Sequence, residues 1–299
     1  LVSGPTASGK SNFAIKIAKS INGEIINADS MQIYKQLQVL TARPKKNDLI
    51  KIKHHLYGFF DVKKNFSTGE WLKLLLKKIK DIRRRNKIPI VVGGTGLYFK
   101  ALTDGLVKIP NIPFKIRNKV RLMQEQLGQK KFYSKLLKID PLIKNKVNKN
   151  DVQRSIRAYE IKYQTKRSII EWFKKTKTFF PADEFIKLYI DYPREGLINR
   201  INLRVDSMFK NGAIEEVKRF NKLKVKKENS SNKVIGIKEI TNLLSKHYNL
   251  DQTKEIIAIK TRQYTKRQAT WARGQMKSWQ KINPKDLRLV LKKIELITS

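Results

Sequence analysis

The strongest constraint on the fold lies near the start of the chain, where eight residues match the phosphate-binding pattern G-x-x-x-x-G-K-[ST]. The match consists of Gly4, Pro5, Thr6, Ala7, Ser8, Gly9, Lys10 and Ser11. An apolar strand pattern at 1–3 precedes it and a helical pattern at 10–20 follows, which is the context that the motif requires. Such a loop directs backbone N–H groups at phosphate oxygens, and its lysine adds a positive charge. The motif therefore predicts a phosphate or diphosphate site of the kind found in ATP-binding proteins, without identifying the ligand.

Short apolar runs alternate with helical patterns over the first hundred residues. Residues 24–27 predict a second strand, and residues 88–92 predict a continuous apolar strand that ends in a glycine-rich turn at 93–96. Strands that alternate with helices predict an α/β fold with a parallel sheet, flanked by helices and similar to P-loop NTPases. Ligands of such sheets bind at the carboxyl ends of the strands. The candidate positions are therefore the loop 4–11, Asp29 with Ser30, and the turn 93–96.

The pattern changes at residues 110–113, which read Pro-Asn-Ile-Pro. From there to Pro181 the chain carries helical patterns with few strand signals, and a strand pattern returns at 186–192. We therefore expect a P-loop catalytic core built from 1–110 and 182–299, with an inserted all-helical domain at 111–181. A stretch at 224–233 is rich in Lys, Asn and Ser, which predicts a flexible loop.

The charge balance predicts a polyanionic partner. The 299 residues include 66 Lys and Arg against 25 Asp and Glu, a formal charge of +41. A charge of this size favours nucleic acid over a membrane surface or an acidic protein. Lysines outnumber arginines 49 to 17, as AT-rich codon drift would produce, so part of the excess needs no partner. The distribution is uneven, because residues 111–180 hold 19 basic and 5 acidic side chains.

The composition also excludes several classes of protein. The chain has no cysteine, which excludes disulfides, thiolate zinc sites and a cysteine nucleophile. No run approaches the roughly 18 to 20 apolar residues that a membrane helix needs, so no membrane partner is expected. Residues 1–3 lead directly into the glycine loop, with no secretory signal pattern. We therefore expect a cytoplasmic protein.

Asp29 is a candidate catalytic carboxylate because it follows the second predicted strand. At the edge of a phosphate site, a carboxylate can accept a proton or order a metal ion. An ordinary solvated aspartate at a strand end would give the same sequence pattern, and that alternative stays open. The sequence shows neither a Walker B strand beyond the second strand nor an Asn-Lys-x-Asp base-reading motif. A nucleotide hydrolase would be expected to carry such motifs.

Seven blocks of sequence, in chain order, resemble the tRNA dimethylallyltransferase (tRNA isopentenyltransferase) family in its bacterial form. They are the loop 4–11, DSMQIY at 29–34, TARP at 41–44, HHL at 54–56, VGGTGLY at 92–98, NDVQRSIRA at 150–158 and the helical block 261–271. The resemblance covers essentially the whole chain. It implies transfer of a dimethylallyl group from dimethylallyl diphosphate to N6 of the adenosine just 3′ of the anticodon (position 37), in tRNAs that read codons beginning with U. It further implies a monomer that uses Mg²⁺.

The resemblance implies roles for individual residues near the reacting atoms. Asp29 matches the general base that accepts a proton from the adenine amine. Thr95 matches a threonine that contacts the diphosphate oxygen at the bond that breaks, and Arg204 matches an arginine that clamps the diphosphate. The loop 4–11 would hold the same group, with Ser11 in the Mg²⁺ shell. Without the resemblance, Arg204 is an ordinary helical arginine.

The resemblance also implies a set of residues that contact the tRNA anticodon stem-loop. These are Asp29, Ser30, Met31, Gln32, Thr95, Arg117, Gln153, Arg154, Ser155, Ile156, Arg157, Lys233, Gly236 and Lys238. The target base should leave its stack to reach the diphosphate. Two segments depart from the family pattern. Residues 36–40 replace the usual Gly-x-x-Ile-Gly, and residues 234–238 lack the tyrosine of the usual Gly-Tyr-Arg or Gly-Tyr-Lys.

Three other functions remain open from the sequence. An adenylate isopentenyltransferase, which acts on free AMP, ADP or ATP, would share the loop and the base but should lack the basic insertion. A small-molecule P-loop kinase would turn over ATP without needing a charged inserted domain. A catalytically inactive RNA-binding protein would keep the positive surface and tolerate the loss of Asp29 and Lys10.

Overall fold

The computed structural model describes residues 1–298, with side-chain placement for all of these except 46, 51, 297 and 298. The chain forms two compact units. We call the first, Leu1–Ala101 with Ala182–Ser299, the core unit, and the second, Leu102–Pro181, the helical unit. The sequence pattern predicts the first boundary between these units at residue 110, whereas in the structure it lies at residue 101.

A six-stranded parallel sheet forms the centre of the core unit. Its strands are β1 (Val2–Ser3), β2 (Gly23–Asn27), β3 (His54–His55), β4 (Ile88–Gly93), β5 (Leu188–Ile190) and β6 (Gln280–Ile282). The spatial order is β3-β2-β4-β1-β5-β6, and each of these neighbouring pairs is parallel. The α/β class expected from the alternating pattern is confirmed. Because β1 lies between β4 and β5, the phosphate-binding loop leaves the middle of the sheet.

Helices account for most of the remaining chain. In the first part of the core unit they are α1 (Lys10–Ser20), α2 (Lys46–Lys51), α3 (Thr68–Arg83) and α4 (Gly96–Thr103). In its second part they are α8 (Arg194–Lys210), α9 (Ala213–Lys222), α10 (Ile237–Leu244), α11 (Leu250–Gln275) and α12 (Leu287–Thr298). The sequence patterns predicted neither α2 nor α12. None of the helices that the structure describes has both the length and the apolar sequence that crossing a membrane requires.

The buried apolar side chains of the core unit include two clusters that bear on the position of the site. One joins α1 and α12 to the sheet, and it buries Phe13, Ile17, Ile90 and Ile294. The other joins the segment after β2 to α8, α9, α10 and α11, and it buries side chains such as Leu37. The second cluster is the one that fixes α8 and α11 beside the ends of the strands.

The helical unit contains α5 (Phe114–Ile139), α6 (Val152–Thr165) and α7 (Ile169–Phe173). Gly128 interrupts α5 with a φ of 69°, so this element consists of two helical segments. Phe132 and Leu136 of α5 are fully buried, as is Ile161 of α6, and they form the centre of the unit. This unit therefore has an apolar core of its own.

The prediction of a flexible loop at 224–233 is wrong for the second half of this segment. Ser230–Lys233 forms a turn of 3₁₀ helix, and Asn229 and Ser231 are buried. Both side chains donate hydrogen bonds to the carbonyl oxygen of Val62, at 3.2 and 2.8 Å. The polar composition of this segment serves an internal contact, because buried backbone carbonyls need partners.

Glu24 of β2 is a buried carboxylate with several cationic or protonatable partners. Its side chain accepts a hydrogen bond from Nη2 of Arg85 at 2.9 Å, and Nη1 of Arg85 bonds the other oxygen. Nε2 of His55 lies 2.6 Å away, and Lys87 lies 3.5 Å away. The hydrogen bonds from Arg85, followed by those from His55, lower the pKa of Glu24 to about 2 although burial opposes the shift.

We expect Glu24→Gln to reduce the free energy of unfolding at pH 7 by about 1–3 kcal/mol, because it removes charge-assisted hydrogen bonds at a buried position. The folded-state pKa lies below the ordinary value of 4.5, so this stabilisation is present above pH 4.5 and is lost as the pH falls toward 2. Urea unfolding of wild type and variant across this range measures the difference. Glu255→Gln, at an exposed position of α11, is the control. A stability difference that stays constant with pH would contradict the assignment.

Candidate functional site

The phosphate-binding loop connects β1 to α1. Gly9 adopts a φ of 87° and Ala7 a φ of 64°, and these left-handed residues turn the backbone so that α1 can begin at Lys10. The first N–H groups of a helix have no partner inside it, and they carry its partial positive charge. The hydroxyl of Ser8 is buried and has no hydrogen-bond partner among the described residues. The loop therefore retains donors for an anion.

Side chains from two distant helices contact this loop. Oε1 of Gln268 in α11 accepts hydrogen bonds from the backbone N–H of Thr6 at 2.9 Å and from the Thr6 hydroxyl at 3.2 Å. Nε of Arg200 in α8 donates to the carbonyl oxygen of Ala7 at 2.6 Å. The sequence analysis assigned no role to either residue. The only available signals were the position of Gln268 within the block 261–271 and that of Arg200 one helical turn before Arg204.

Asp29 lies two residues beyond β2, in a turn fixed by Asn27. Oδ1 of Asn27 accepts the N–H of Asp29 at 2.8 Å, while Nδ2 donates to the carbonyl oxygens of Asp29 and Leu56, both at 3.0 Å. Oδ1 of Asp29 accepts the N–H of Met31 at 2.9 Å. For Oδ2, no hydrogen bond is found within residues 1–298. One carboxylate oxygen therefore holds the turn and the other is available to a substrate.

Thr95 lies beside this turn because β2 and β4 pair in parallel, with Asn27 opposite Val92. Its backbone N–H donates to the carbonyl oxygen of Ala28 at 3.1 Å. Its hydroxyl accepts the N–H of Ser30 at 2.9 Å and lies 3.2 Å from the Ser30 hydroxyl. Thr95 is therefore hydrogen-bonded to the same segment that carries Asp29.

Two of the cavities that the described residues form are lined by Asp29 or by Thr95. The larger, of about 440 Å³, is lined by Thr6, Ala7, Gly9, Lys10, Ser11, Asn12, Asp29, Gln32, Thr41, Ala42, Arg200, Leu203 and Arg204. The smaller, of about 280 Å³, is lined by the glycine turn with Thr95 and by aromatic side chains that include Tyr264 and Trp271. The structure thus brings Asp29, Lys10, Ser11 and Arg204 to one cavity, and it places Thr95 at the neighbouring one.

Electrostatics in the larger cavity favour an anionic ligand. Burial lowers the pKa of Lys10 to about 8, Asp29 acts in the opposite direction, and Arg204 lowers the pKa further. Burial also lowers the pKa of Arg204, against the effect of Asp29. Without a ligand, Nζ of Lys10 donates to the carbonyl oxygen of Pro5 at 3.2 Å. A bound diphosphate would stabilise the charged forms of Lys10 and Arg204, because both cations are partly removed from water.

Burial raises the pKa of three tyrosines whose hydroxyls also feel the negative charge of Asp29. They are Tyr57, Tyr98 and Tyr264. Each remains a neutral phenol that can donate a hydrogen bond. The ring of Tyr98 stacks on Trp71, whose indole N–H donates to the carbonyl oxygen of Asn27 at 2.8 Å. Aromatic packing therefore supports the turn that positions Asp29.

The residues present fit a Mg²⁺ ion that is bound largely by a substrate. No group of three His, Cys, Asp or Glu residues that could hold a metal is found in the described chain. Mg²⁺ in phosphate sites commonly takes one or two protein ligands and completes its shell with phosphate oxygens and water. Ser11 lines the cavity at the start of α1 and can supply such a ligand.

The residues expected to contact RNA in the core unit differ in their exposure. Lys233 and Lys238 are exposed, but Gly236 is buried. Its φ is 109°, its N–H donates to Glu239 at 2.8 Å, and a Cβ there would lie 2.6 Å from Leu40. Gly236 therefore packs inside the core unit, and its contact with RNA stays a prediction. Ser30, Met31 and Gln32, also expected to contact RNA, are partly exposed.

In the helical unit, the segment 153–157 divides between surface and core. Gln153 and Arg154 are exposed and Arg157 is partly buried, whereas Ser155 and Ile156 are buried. The Ser155 hydroxyl donates to the carbonyl oxygen of Asp151 at 2.7 Å, so its side chain is occupied inside the unit. The contact of Ser155 and Ile156 with RNA stays a prediction, and their burial leaves little of either side chain at the surface. Arg117 is partly buried, and its Nε has no hydrogen-bond partner within residues 1–298.

The departing segment 36–40 forms a turn around a buried carboxylate. Glu216 of α9 accepts hydrogen bonds from the backbone N–H groups of Gln38, Val39 and Leu40, at 2.6, 2.8 and 3.0 Å. Three successive N–H groups directed at one carboxylate form an anion nest. This turn therefore does not need the glycines of the family pattern.

Comparisons with known proteins identify a single family. A family model described as IPP transferase matches residues 32–275. The tRNA dimethylallyltransferase of Pelagibacter ubique is 62% identical over 295 residues, covering 99% of this chain and 94% of the relative. That of Rickettsia massiliae is 42% identical over 277 residues, covering 92% of this chain and 76% of the relative.

Solved structures show the same similarity. A tRNA isopentenylpyrophosphate transferase from Staphylococcus epidermidis matches with a TM-score of 0.69 and 30% identity, covering 99% of this chain and 97% of the other. A eukaryotic dimethylallyltransferase acting on tRNA matches with a TM-score of 0.80 and 32% identity, covering 94% of this chain and 72% of the other.

We expect the contribution of Lys10 to the affinity for inorganic pyrophosphate to be constant well below pH 8 and to fall above it, because the free protein loses the charge of Lys10 near pH 8. Lys10→Met should weaken binding at pH 7 by about 10–100-fold. It should also remove this change with pH while keeping any change that comes from ionisation of pyrophosphate itself. Isothermal titration calorimetry measures both effects. Lys16→Met, at an exposed position of α1, is the control, and equal pH profiles for wild type and Lys10→Met would contradict the assignment.

Proposed function

The chain belongs to the IPP transferase family, and on this basis we propose that it transfers a dimethylallyl group from dimethylallyl diphosphate to N6 of an adenosine in tRNA. The target is the adenosine just 3′ of the anticodon. The observation that carries the proposal is the single cavity lined by the phosphate-binding loop, Arg204 and Asp29. A cradle for a leaving diphosphate and an acceptor for a proton thus lie in one space.

The donor side of the reaction is explained by the cations of this cavity. The loop N–H groups, Lys10 and Arg204 bind the diphosphate and stabilise the charge that it gains as the C–O bond breaks. Ser11, which lines this cavity, would hold a Mg²⁺ ion, and such an ion would further stabilise the charge on the leaving group. Because Lys10 and Arg204 are partly desolvated before the ligand binds, their interaction with the leaving group is stronger than it would be in water.

The acceptor side is explained by Asp29. The N6 lone pair of adenine forms the new C–N bond, and the N6 proton moves to the free Oδ2 of Asp29 while pyrophosphate leaves with the electrons of the C–O bond. An exocyclic amine is a weak nucleophile, so a carboxylate within hydrogen-bond reach contributes in the transition state. We propose that Thr95, which is hydrogen-bonded to the Asp29 segment, contacts the leaving oxygen.

The helical unit is proposed to grip the anticodon stem-loop of tRNA. Its exposed Arg154 and partly buried Arg157 lie on α6, and the sequence 111–180 carries a large excess of basic residues. Such residues bind RNA phosphates. We place the enzyme in the cytoplasm, with its tRNA substrate. We also propose that the enzyme acts as a monomer.

The function is tested by incubating the protein with labelled dimethylallyl diphosphate, Mg²⁺ and either an anticodon stem-loop RNA or AMP. We expect label on the RNA only, because the basic helical unit has no use for a free nucleotide. Label on AMP alone would identify an adenylate isopentenyltransferase. A parallel incubation with labelled ATP tests for a kinase, and phosphate transfer without prenyl transfer would overturn the proposal.

Asp29→Asn is the matched control for this assay. Asparagine keeps an oxygen that can accept the N–H of Met31, so the turn is retained, but it cannot accept the N6 proton. We expect the variant to lower kcat by about 10²–10⁴-fold while RNA affinity changes by less than about twofold. A loss of RNA affinity as large as the loss of rate would move Asp29 from the chemistry to RNA binding.

We expect Arg154→Ala to weaken binding of the stem-loop RNA by about 3–10-fold and to reduce the slope of log affinity against log salt concentration by about one. The side chain of Arg154 is exposed, and its Nε lies 3.4 Å from Asp151 in a pairing that water can replace. Fluorescence anisotropy over a range of salt concentrations measures both quantities. Arg288→Ala, at an exposed position of α12, controls for loss of charge alone, and equal slopes for the two variants would contradict the prediction.

A further inference from the structure

We propose that Gln268 is a positioning residue that holds the phosphate-binding loop and the Thr95 turn at a fixed separation. The inference rests on the proposed function, in which both segments act on one leaving diphosphate. Helix α11 would thereby connect two segments, at Thr6 and Gly94, that lie almost ninety residues apart in the sequence.

The carboxamide of Gln268 bonds to both segments at once. Its oxygen accepts two hydrogen bonds from Thr6, at 2.9 and 3.2 Å, and its nitrogen donates to the carbonyl oxygen of Gly94 at 2.9 Å. Gly94 immediately precedes Thr95. One planar side-chain group therefore fixes a point on the phosphate-binding loop relative to a point next to the Thr95 hydroxyl.

Two glycines of the turn allow α11 to approach this closely. A Cβ at position 94 would lie 2.3 Å from Nε2 of Gln268, and a Cβ at position 96 would lie 2.2 Å from Cε3 of Trp271. Gln268 and Trp271 are three residues apart and so lie on one face of the helix. The face of α11 that carries Gln268 thus rests directly on the glycine turn.

Besides Gln268, the phosphate-binding loop is held by Arg200, which bonds to the carbonyl oxygen of Ala7, and by hydrogen bonds within the loop. Its internal bonds include that from the N–H of Ser8 to the carbonyl oxygen of Pro5, at 3.2 Å, and that from Nζ of Lys10 to the same oxygen. An arriving anion competes for Nζ of Lys10. The contact of Gln268 with Thr6 does not use that cation, so it can persist while the diphosphate is bound.

The expected consequence is kinetic. A displacement of about 1 Å between reacting groups can cost about 100-fold in rate even when binding is retained. Gln268→Met keeps a neutral side chain of similar length but removes all three hydrogen bonds. It should therefore lower kcat for prenyl transfer by about 10–100-fold, leave KM for the RNA within about twofold, and weaken pyrophosphate binding by about threefold.

The test combines Gln268→Met with Thr95→Val in a double-mutant cycle. If Gln268 acts by placing the Thr95 hydroxyl, its loss should cost much less once that hydroxyl is gone, and the two effects on kcat should be strongly non-additive. Gln275→Met, at the exposed last position of α11, is the matched control and should retain wild-type kcat. Thermal unfolding is measured for every variant.

A second variant approaches the same contact from the other side. Gly94→Ala keeps residue 268 a glutamine, but the added methyl group would lie 2.3 Å from Nε2 and would displace the carboxamide. The variant should therefore reproduce the loss of kcat. The inference is overturned if Gln268→Met retains wild-type kcat, if the cycle with Thr95→Val is additive, or if Gln268→Met changes only the melting temperature. These results are distinct from a failure of the proposed function, in which the wild-type protein itself transfers no prenyl group. In that case pyrophosphate binding decides the inference, and equal affinity of wild type and Gln268→Met overturns it.

Discussion

The parallel register of β2, β4 and β1 is the constraint on which the site depends. Asn27 pairs with Val92, and Ser3 pairs with Gly93. The three strands therefore end at the same edge of the sheet, and their ends differ by no more than two residues in register. The turn with Asp29, the turn with Thr95 and the phosphate-binding loop follow these ends. Their proximity follows from backbone hydrogen bonds that lie outside the cavity. The sheet therefore brings the reacting groups together, and side chains from later helices adjust their separation.

Helices α8 and α11 perform this adjustment, and they do so by different means. From α8 come Arg204, which lines the cavity, and Arg200, which bonds to the carbonyl oxygen of Ala7. From α11 comes the neutral Gln268, which bonds to loop and turn together. Both helices are fixed through the second apolar cluster of the core unit, which also takes in the segment after β2. The helices that contribute side chains to the cavity and the loop therefore also form part of the apolar core of this unit.

The sequence predicted the sheet, the phosphate-binding loop and the position of Asp29 because each has a local signal: an apolar run, a glycine pattern or a strand end. It did not predict β6, whose first two residues, Gln280 and Lys281, are exposed at the sheet edge and give no apolar run. The contact between Gln268 and Thr6 joins residues 262 positions apart, and no periodicity reports such a pair. The burial of Ser155 and Gly236 was not predicted either, because a motif marks a residue without indicating whether it faces the core or the surface.

The two departures from the family pattern have a common physical explanation in the structure. Leu40, from the first, packs against Gly236 of the second, and both segments contribute to one buried cluster with Val234 and Ile237. Glu216 satisfies the N–H groups of the turn before Leu40 from within the same region. Residues 234–238 contain no aromatic side chain, and the methyl groups of Leu40 fill the space beside Gly236. The departures therefore meet in one local packing arrangement around the buried Leu40 and Gly236, neither of which lines the Asp29 cavity.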